Sequence, residues 1–232
     1  SGKLTTVIGL GTNYVGGHNL YANVDEDEGV RLVQAALDCG VNHIDTADVY
    51  GHGRSEELVG KALKGRRDEV LLATKGGNPM PGATAANNDP KYLRTALEAS
   101  LKRLDVDHVD LYYIHRPDGV TPPEDAYGAV MRMKEDGLIR AGGLSNFELD
   151  GLKAAAKAGP IDALQSQFNM LQRQVEPEIL PYCTENDIAF VPWGPIAYGV
   201  LGGKYTRDFE LGENDWRHRS GVFGDAYARN MD

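Results

Sequence analysis

Apolar and β-branched residues gather in seven short runs: Thr6–Leu10, Val41–Asp45, Glu69–Thr74, Val109–His115, Ile139–Ser145, Ile161–Gln165 and Ile188–Trp193. Each reads as a strand. Between them, apolar residues return every three to four positions over Asp25–Asp38, Ser55–Leu63, Asp89–Leu104, Pro123–Glu135, Glu148–Lys157 and Glu176–Glu185. That spacing predicts helices with one buried face. The punctuation agrees: Asp25 or Asp27 can cap the first helix and Gly40 ends it. Asp89-Pro90 opens the third, and Gly137 and Gly159 follow the fourth and fifth.

Strand and helix alternate without a β-only block, which implies a parallel sheet, because parallel neighbours need a crossover. An open dinucleotide-binding sheet would show GxGxxG after its first strand. Here Gly9-Leu10-Gly11-Thr12 runs into Asn13 and Tyr14 and breaks that pattern. The expectation is therefore an α/β fold of the (β/α)8 TIM-barrel type. A closed barrel needs eight strands, and seven are read before a polar, Gly-rich tail from Tyr205 to Asp232. The chain is thus expected to form one domain over residues 1–232, incomplete for want of its eighth strand and last helices.

Composition narrows the function. With 232 residues, 41% apolar and 25% charged, the chain can bury a core, and no apolar run approaches the ~20 residues that cross a bilayer. It opens Ser1-Gly2-Lys3 without a signal-peptide pattern, so a cytoplasmic location is expected. A formal charge of −10 argues against nucleic acid and anionic membrane and for a small-molecule partner. Cys39 and Cys183 have neither CxxC nor metal spacing, and Cys39 follows an apolar helical pattern that predicts packing. Oligomeric state is not legible.

In barrel enzymes the working residues stand where strands run out into loops. Four polar residues do so here: Asp45 and Tyr50 after the second strand, Lys75 after the third and His115 after the fourth. They suit carbonyl reduction, which puts hydride on carbon and a proton on oxygen. A tyrosine with an ordinary pKa of about 10 is a reluctant acid near neutrality. A Lys75 ammonium would favour the Tyr50 phenolate, Asp45 would hold Lys75 charged, and His115 could hydrogen-bond the substrate oxygen. His43, which shares a strand face with Asp45, reads as a core or lining histidine, since a His-x-Asp pair lacks the other ligands of a catalytic zinc. Asp48, three residues after Asp45, reads as a loop cap or else as a second carboxylate, and Lys64-Gly65-Arg66-Arg67 reads as a solvated helix end.

The strings Asp45-Thr46-Ala47-Asp48-Val49-Tyr50-Gly51, Ala73-Thr74-Lys75 and Tyr113-Ile114-His115-Arg116-Pro117-Asp118 resemble the aldo-keto reductase family, which carries an Asp-Tyr-Lys-His tetrad in this order. The likeness extends from about Ile8 to near Asn230. It includes Gly143-Leu144-Ser145-Asn146-Phe147, Gln165-Ser166-Gln167-Phe168-Asn169 and Trp193-Gly194-Pro195-Ile196-Ala197. The resemblance implies an NADP(H)-dependent oxidoreductase acting on an aldehyde or ketone. It assigns the nicotinamide carboxamide to Ser145, Asn146 and Gln167, ring stacking to Trp193, and cofactor contacts to Gly11, Thr12, Asn13, Asp45, Gly194, Pro195, Ile196 and Ala197. The Gly-rich stretch from Gly199 through Gly203 and Lys204 looks like the family's loop over the pyrophosphate. The family segment that grips the adenosine 2′-phosphate has no counterpart here, so NADP over NAD is implied by the family alone. Gly16-Gly17-His18-Asn19-Leu20-Tyr21 looks most like bacterial members associated with inositol use and general stress. The family also resembles potassium-channel β-subunits, which leaves a cofactor-binding regulatory module, or an inactive fragment, as the alternatives.

Overall fold

A computed structural model describes residues 5–21, 23–206, 208–212, 215–220 and 222–223. The Ser1–Lys3 opening and the last residues of the tail, Asn230 among them, lie outside that set. Among the described residues every expected run becomes a strand and every expected periodicity a helix. In chain order they are β1 Gly9–Gly11, α1 Glu26–Asp38, β2 His43–Asp45, α2 Arg54–Ala62, β3 Leu71–Gly76, α3 Pro90–Leu104, β4 Val109–Ile114, α4 Pro123–Glu135, β5 Ile139–Ser145, α5 Leu149–Ala155, β6 Ala163–Gln167, α6 Ile179–Glu185 and β7 Ala189–Trp193. The chain divides into two compact units, Ser1–Leu164 and Gln165–Asp232.

In the first unit β1 to β5 pair in chain order, all parallel. The register aligns Gly11 with Asp45, Asp45 with Ala73, Ala73 with Leu111 and Leu111 with Ala141. Because side chains alternate along a strand, one face collects Leu71, Ala73, Leu111, Tyr113 and Ala141 into an apolar cluster. Lys75 lies two residues beyond Ala73 and opposite Tyr113, and His115 two beyond Tyr113, so Asp45, Lys75 and His115 share that face at the carboxyl ends of their strands. The other face meets the helices, with the Tyr112 hydroxyl donating to the Leu93 carbonyl of α3 at 3.4 Å.

Helix starts follow side-chain chemistry. Asp25 accepts the Glu28 N–H at 2.9 Å at the head of α1, and Asp89 accepts the Lys91 and Tyr92 N–H groups at the head of α3. The buried stripe of α1 is Gly29, Val30, Val33 and Leu37.

Several expectations are corrected. β1 begins at Gly9, because Thr6 and Asn42 exchange side-chain hydrogen bonds in place of a ladder and Val7 and Ile8 stand exposed. Cys39 is exposed: it falls just past the end of α1 and off its apolar stripe, whereas Cys183 is buried. α6 starts at Ile179, since Pro177 disfavours helical backbone at Glu176, which closes a turn with Arg173 instead. Arg67 is more than a solvated residue: its guanidinium lies 2.8 Å from the buried Asp110 carboxylate and donates to the His108 carbonyl at 3.1 Å.

In the second unit, the Phe168 N–H beyond β6 donates to the Trp193 carbonyl at the end of β7 at 3.3 Å. A 3₁₀ segment, Ala197–Gly202, follows β7. Its Ala197 and Val200 pack with Val222 and Phe223, flanked by Tyr198, Tyr205 and Phe209.

Candidate active site

The strand register brings three of the four expected catalytic groups to one place, and the connection after β2 delivers the fourth. Lys75 is fully buried, ion-paired with the Asp45 carboxylate, and also donates to the Thr46 carbonyl at 2.9 Å. Its ammonium lies 5.1 Å from the centroid of the Tyr50 ring. The Tyr50 and His115 rings meet edge to face with centroids 6.0 Å apart.

Tyr50 opens a tight turn, Tyr50–Gly53, in which Gly51 takes φ 58°. A Cβ at Gly51 would stand 1.9 Å from the Gly16 carbonyl oxygen, so only glycine fits behind the tyrosine. Asn19 clamps the turn from outside, accepting the Gly51 N–H at 2.8 Å and donating to the Val49 carbonyl at 3.0 Å.

The charges settle as follows. Burial works against the Lys75 ammonium, but Asp45 and Tyr50 outweigh it and hold its pKa above the ordinary lysine value. Burial pushes the Tyr50 phenol up, and the pull of Lys75 offsets this only in part. This reverses the lowering expected from Lys75 alone. The lysine does act in that direction, but enclosure of the phenol wins, even though the residue as a whole stays half-open to solvent. His115 falls well below its ordinary value, first through burial and then through repulsion from Lys75 and Arg116, so its imidazole is neutral near pH 7.

A second layer holds this group in place; the sequence pattern marked Thr12 and Asp48 in other roles and did not mark Ser55, Glu56 or Arg103. The buried Thr12 donates from its backbone and its hydroxyl to the Asp45 carbonyl, at 2.9 and 3.0 Å, and touches the Ser55 hydroxyl at 3.0 Å. Ser55 donates to the Thr12 carbonyl at 2.9 Å and meets the Thr46 hydroxyl at 3.1 Å. Thr12, expected beside a cofactor, thus has its hydroxyl directed to the protein. On the helix side of β3, Glu56 is fully buried, accepting from Thr74 at 2.5 Å and from Arg103 at 2.6 Å. Asp48 is no loop cap: it is 1% exposed and neither carboxylate oxygen has a hydrogen-bond partner of normal geometry. Asp118, unassigned from sequence, organises its own loop by accepting from Asn88, Val120 and Thr121.

The remaining expected residues fall in both units. Gly11 ends β1 exposed, and Asn13 donates to the Tyr21 hydroxyl at 3.0 Å. Ser145 is buried at the end of β5, and Asn146, at φ 60°, donates to the His115 carbonyl at 3.0 Å and to Ser145 at 2.9 Å. In the second unit Gln167 donates to the Tyr198 hydroxyl at 2.8 Å, and Trp193 meets the Tyr198 ring edge-on at 6.5 Å. Tyr198 escaped the sequence reading because no motif marks it. The Gly194 carbonyl accepts from the Asn169 side chain and the Ala197 N–H, while Pro195 and Ile196 are exposed. Ala197 is buried in the unit's core, and Gly203 and Lys204 are exposed. Among the described residues no three His, Cys, Asp or Glu side chains are grouped to hold a metal, and no helix is long and apolar enough to cross a membrane.

Comparison with known proteins supplies the identification. Residues 7–231 match the profile of the Aldo/keto reductase family. The chain belongs to that family. It is 36% identical over 219 residues to aldo-keto reductase YhdN of Bacillus subtilis, covering 93% of this chain and 66% of that protein. Aldo-keto reductase yakc [NADP(+)] of Schizosaccharomyces pombe is 38% identical over 223 residues, with the same two shares, 93% and 66%. Among solved structures, the glycerol dehydrogenase AKR11B4 from Gluconobacter oxydans superposes with a TM-score of 0.87 at 34% identity, over 96% of this chain and 70% of that one. The α/β fold of TIM-barrel type is thereby shown for this aldo-keto reductase chain. It spans about two thirds of the length of the curated relatives it matches.

Proposed function

We propose that the protein is an oxidoreductase that reduces an aldehyde or ketone to an alcohol with NADP(H), Tyr50 acting as the general acid. The observation that carries this reading is the contact chain Asp45–Lys75–Tyr50–His115, in which a buried ammonium and a neutral imidazole flank one phenol. Lys75 supplies positive charge where the phenolate would form, and Asp45 keeps that lysine charged. The neutral His115 can donate a hydrogen bond to a substrate oxygen without competing as an acid.

The residues present fit a nicotinamide nucleotide by their donor chemistry. Hydroxyl and amide groups stand at the ends of β5 and β6 in Ser145, Asn146 and Gln167, and a half-buried Trp193 ends β7. Gly202 and Gly203 leave open space where a Cβ would be, beside the exposed Lys204, which suits an approaching phosphate. The family assigns these residues, with Gly11, Asn13 and Gly194–Ala197, to the cofactor, which would supply the hydride when bound. In the reduction the Tyr50 hydroxyl would pass its proton to the carbonyl oxygen, leaving a phenolate beside the Lys75 ammonium. NADP rather than NAD is supported by the name of the S. pombe relative.

The test is Tyr50→Phe, assayed with NADPH and a small aldehyde such as glyceraldehyde. Removing the hydroxyl is expected to lower turnover roughly 10²–10⁴-fold while NADPH binding, read by fluorescence titration, is retained. Equal turnover in the variant would remove Tyr50 from the role. Negligible turnover in the unaltered protein with NADPH still bound would favour a regulatory module.

A further inference from the structure

The connection between β2 and α2 carries two acids. Asp45 is ion-paired with Lys75 and has its place in the reaction. Asp48 has none, yet it is the more deeply buried, at 1% exposure, and both of its oxygens lack a hydrogen-bond partner of normal geometry. An ionised carboxylate left so would be costly, because burial removes its water and nothing replaces it.

Its surroundings explain why it is unpaired. The charged and titratable groups within its field are Glu56 on α2, Arg103 and Tyr92 on α3, Lys75 on β3, Tyr112 on β4 and Tyr50 on its own connection. Arg103 is committed to Glu56 at 2.6 Å, and Thr74 gives Glu56 its second bond. Lys75 is committed to Asp45. Two cations therefore face three carboxyl groups, and Asp48 is the one left over. Its backbone is tied to the lysine all the same, the Asp48 N–H donating to the Lys75 carbonyl at 3.1 Å.

We propose that Asp48 is a positioning residue of the reaction, a buried carboxyl that carries its own proton while Tyr50 acts and whose ionisation weakens Tyr50 as an acid. The inference rests on the reading of Tyr50 as the proton donor. Burial first, and repulsion from Glu56 second, push Asp48 up to about 7, against the attraction of Arg103 and a smaller contribution from the Val49 N–H. With Asp48 neutral, Lys75 shares its charge between Asp45 and Tyr50 only. Once Asp48 ionises, a further negative charge acts on the phenol and holds its proton more tightly. No bond to substrate is involved.

Two measurements on the purified protein test this. Infrared titration from about pH 5 to about pH 9 reads the C=O stretch of a protonated buried carboxyl. That band is expected in the unaltered protein, disappearing with a midpoint near 7, and is expected to be missing from Asp48→Asn. The second reading is the pH profile of kcat/KM for aldehyde reduction, expected to fall through the same midpoint in the unaltered protein and to lose that step in Asp48→Asn, with NADPH affinity unchanged. Should Asp48→Asn not fold, Glu56→Gln serves: freeing Arg103 and removing the like charge is expected to move both midpoints to lower pH. Absence of the band at acid pH, or a profile with the same step in Asp48→Asn, overturns the proposal. Full turnover in Tyr50→Phe would instead overturn the reading beneath it, while leaving the infrared result standing.

Discussion

The ammonium of Lys75, wholly out of contact with water, is held by the Asp45 carboxylate one strand away, each reaching the other because Asp45 is level with Ala73 and Lys75 lies two residues further on the same face. Such a pair adds little net stability, because the desolvation of its two charges offsets their attraction, but it is costly to halve. Removing one partner of a buried ion pair leaves the other charge stranded.

Asp45→Asn is therefore expected to lower stability by about 3–5 kcal/mol, measured by urea denaturation near pH 7. The double replacement Asp45→Asn with Lys75→Met should recover most of that loss, since no lone charge remains, yet restore no turnover. Equal stability of the single and double variants would show that the pair is not electrostatically coupled.

His115 should stay neutral throughout the physiological range. Burial and the two cations Lys75 and Arg116 hold its pKa well below the usual histidine value, so its ring signals in NMR are expected to show no titration between about pH 6 and 8. Lys75→Met removes one repelling charge and should bring the midpoint upward. A midpoint near 6.5 in the unaltered protein would contradict the enclosure described for the imidazole.

Asp48 also ties stability to pH, with a definite sign. Its folded-state pKa of about 7 stands above the ordinary 3.8, so folding retains a proton that the unfolded chain releases. The favourable contribution is complete below about 4 and is lost as pH rises through about 7. Asp48→Asn, which cannot ionise, is expected to be more stable than the unaltered protein at pH 8, by at most about 4 kcal/mol, with the gain shrinking toward pH 4. Thermal unfolding at the two pH values checks this, and a gain of the same size at both would remove the linkage.

Gly60 lies within α2, where alanine would ordinarily favour a helix by about 1 kcal/mol. Here a Cβ would stand 2.5 Å from the Leu104 carbonyl oxygen at the end of α3, a backbone atom that cannot swing aside. Gly60→Ala is expected to destabilise by about 1–3 kcal/mol, read as a fall in Tm. An unchanged or raised Tm would mean that the two helices can separate without cost.

Asp45, Lys75 and His115 were legible in the sequence because two-residue alternation and strand ends are properties of local pattern, and a parallel register converts them directly into neighbours. Tyr50 was legible from its motif, but the reason for the following glycine was not, since the Gly16 carbonyl that excludes a side chain at Gly51 comes from a distant loop. The network of Glu56, Thr74 and Arg103, which leaves Asp48 unpaired, was invisible for the same reason: it exists only where α2, α3 and β3 meet. The direction of the Tyr50 shift was not legible, because proximity to Lys75 can be read from a pattern, whereas the enclosure that overrides it is a property of the packed interior. Cys39 shows the limit of periodicity at a helix end, where one residue past the last turn suffices to leave the apolar stripe.

Thr12, Ser55 and Thr46 form an uncharged chain of hydroxyls that fixes the backbone at Asp45. Hydroxyls do not titrate in the working range, so this clamp keeps the same strength in acid and in base, while the Asp48 carboxyl on the same connection gains or loses its proton. Mechanical stiffness and electrostatic adjustment are thereby assigned to different atoms, and the proton inventory of the site can be altered without loosening the frame that aims it.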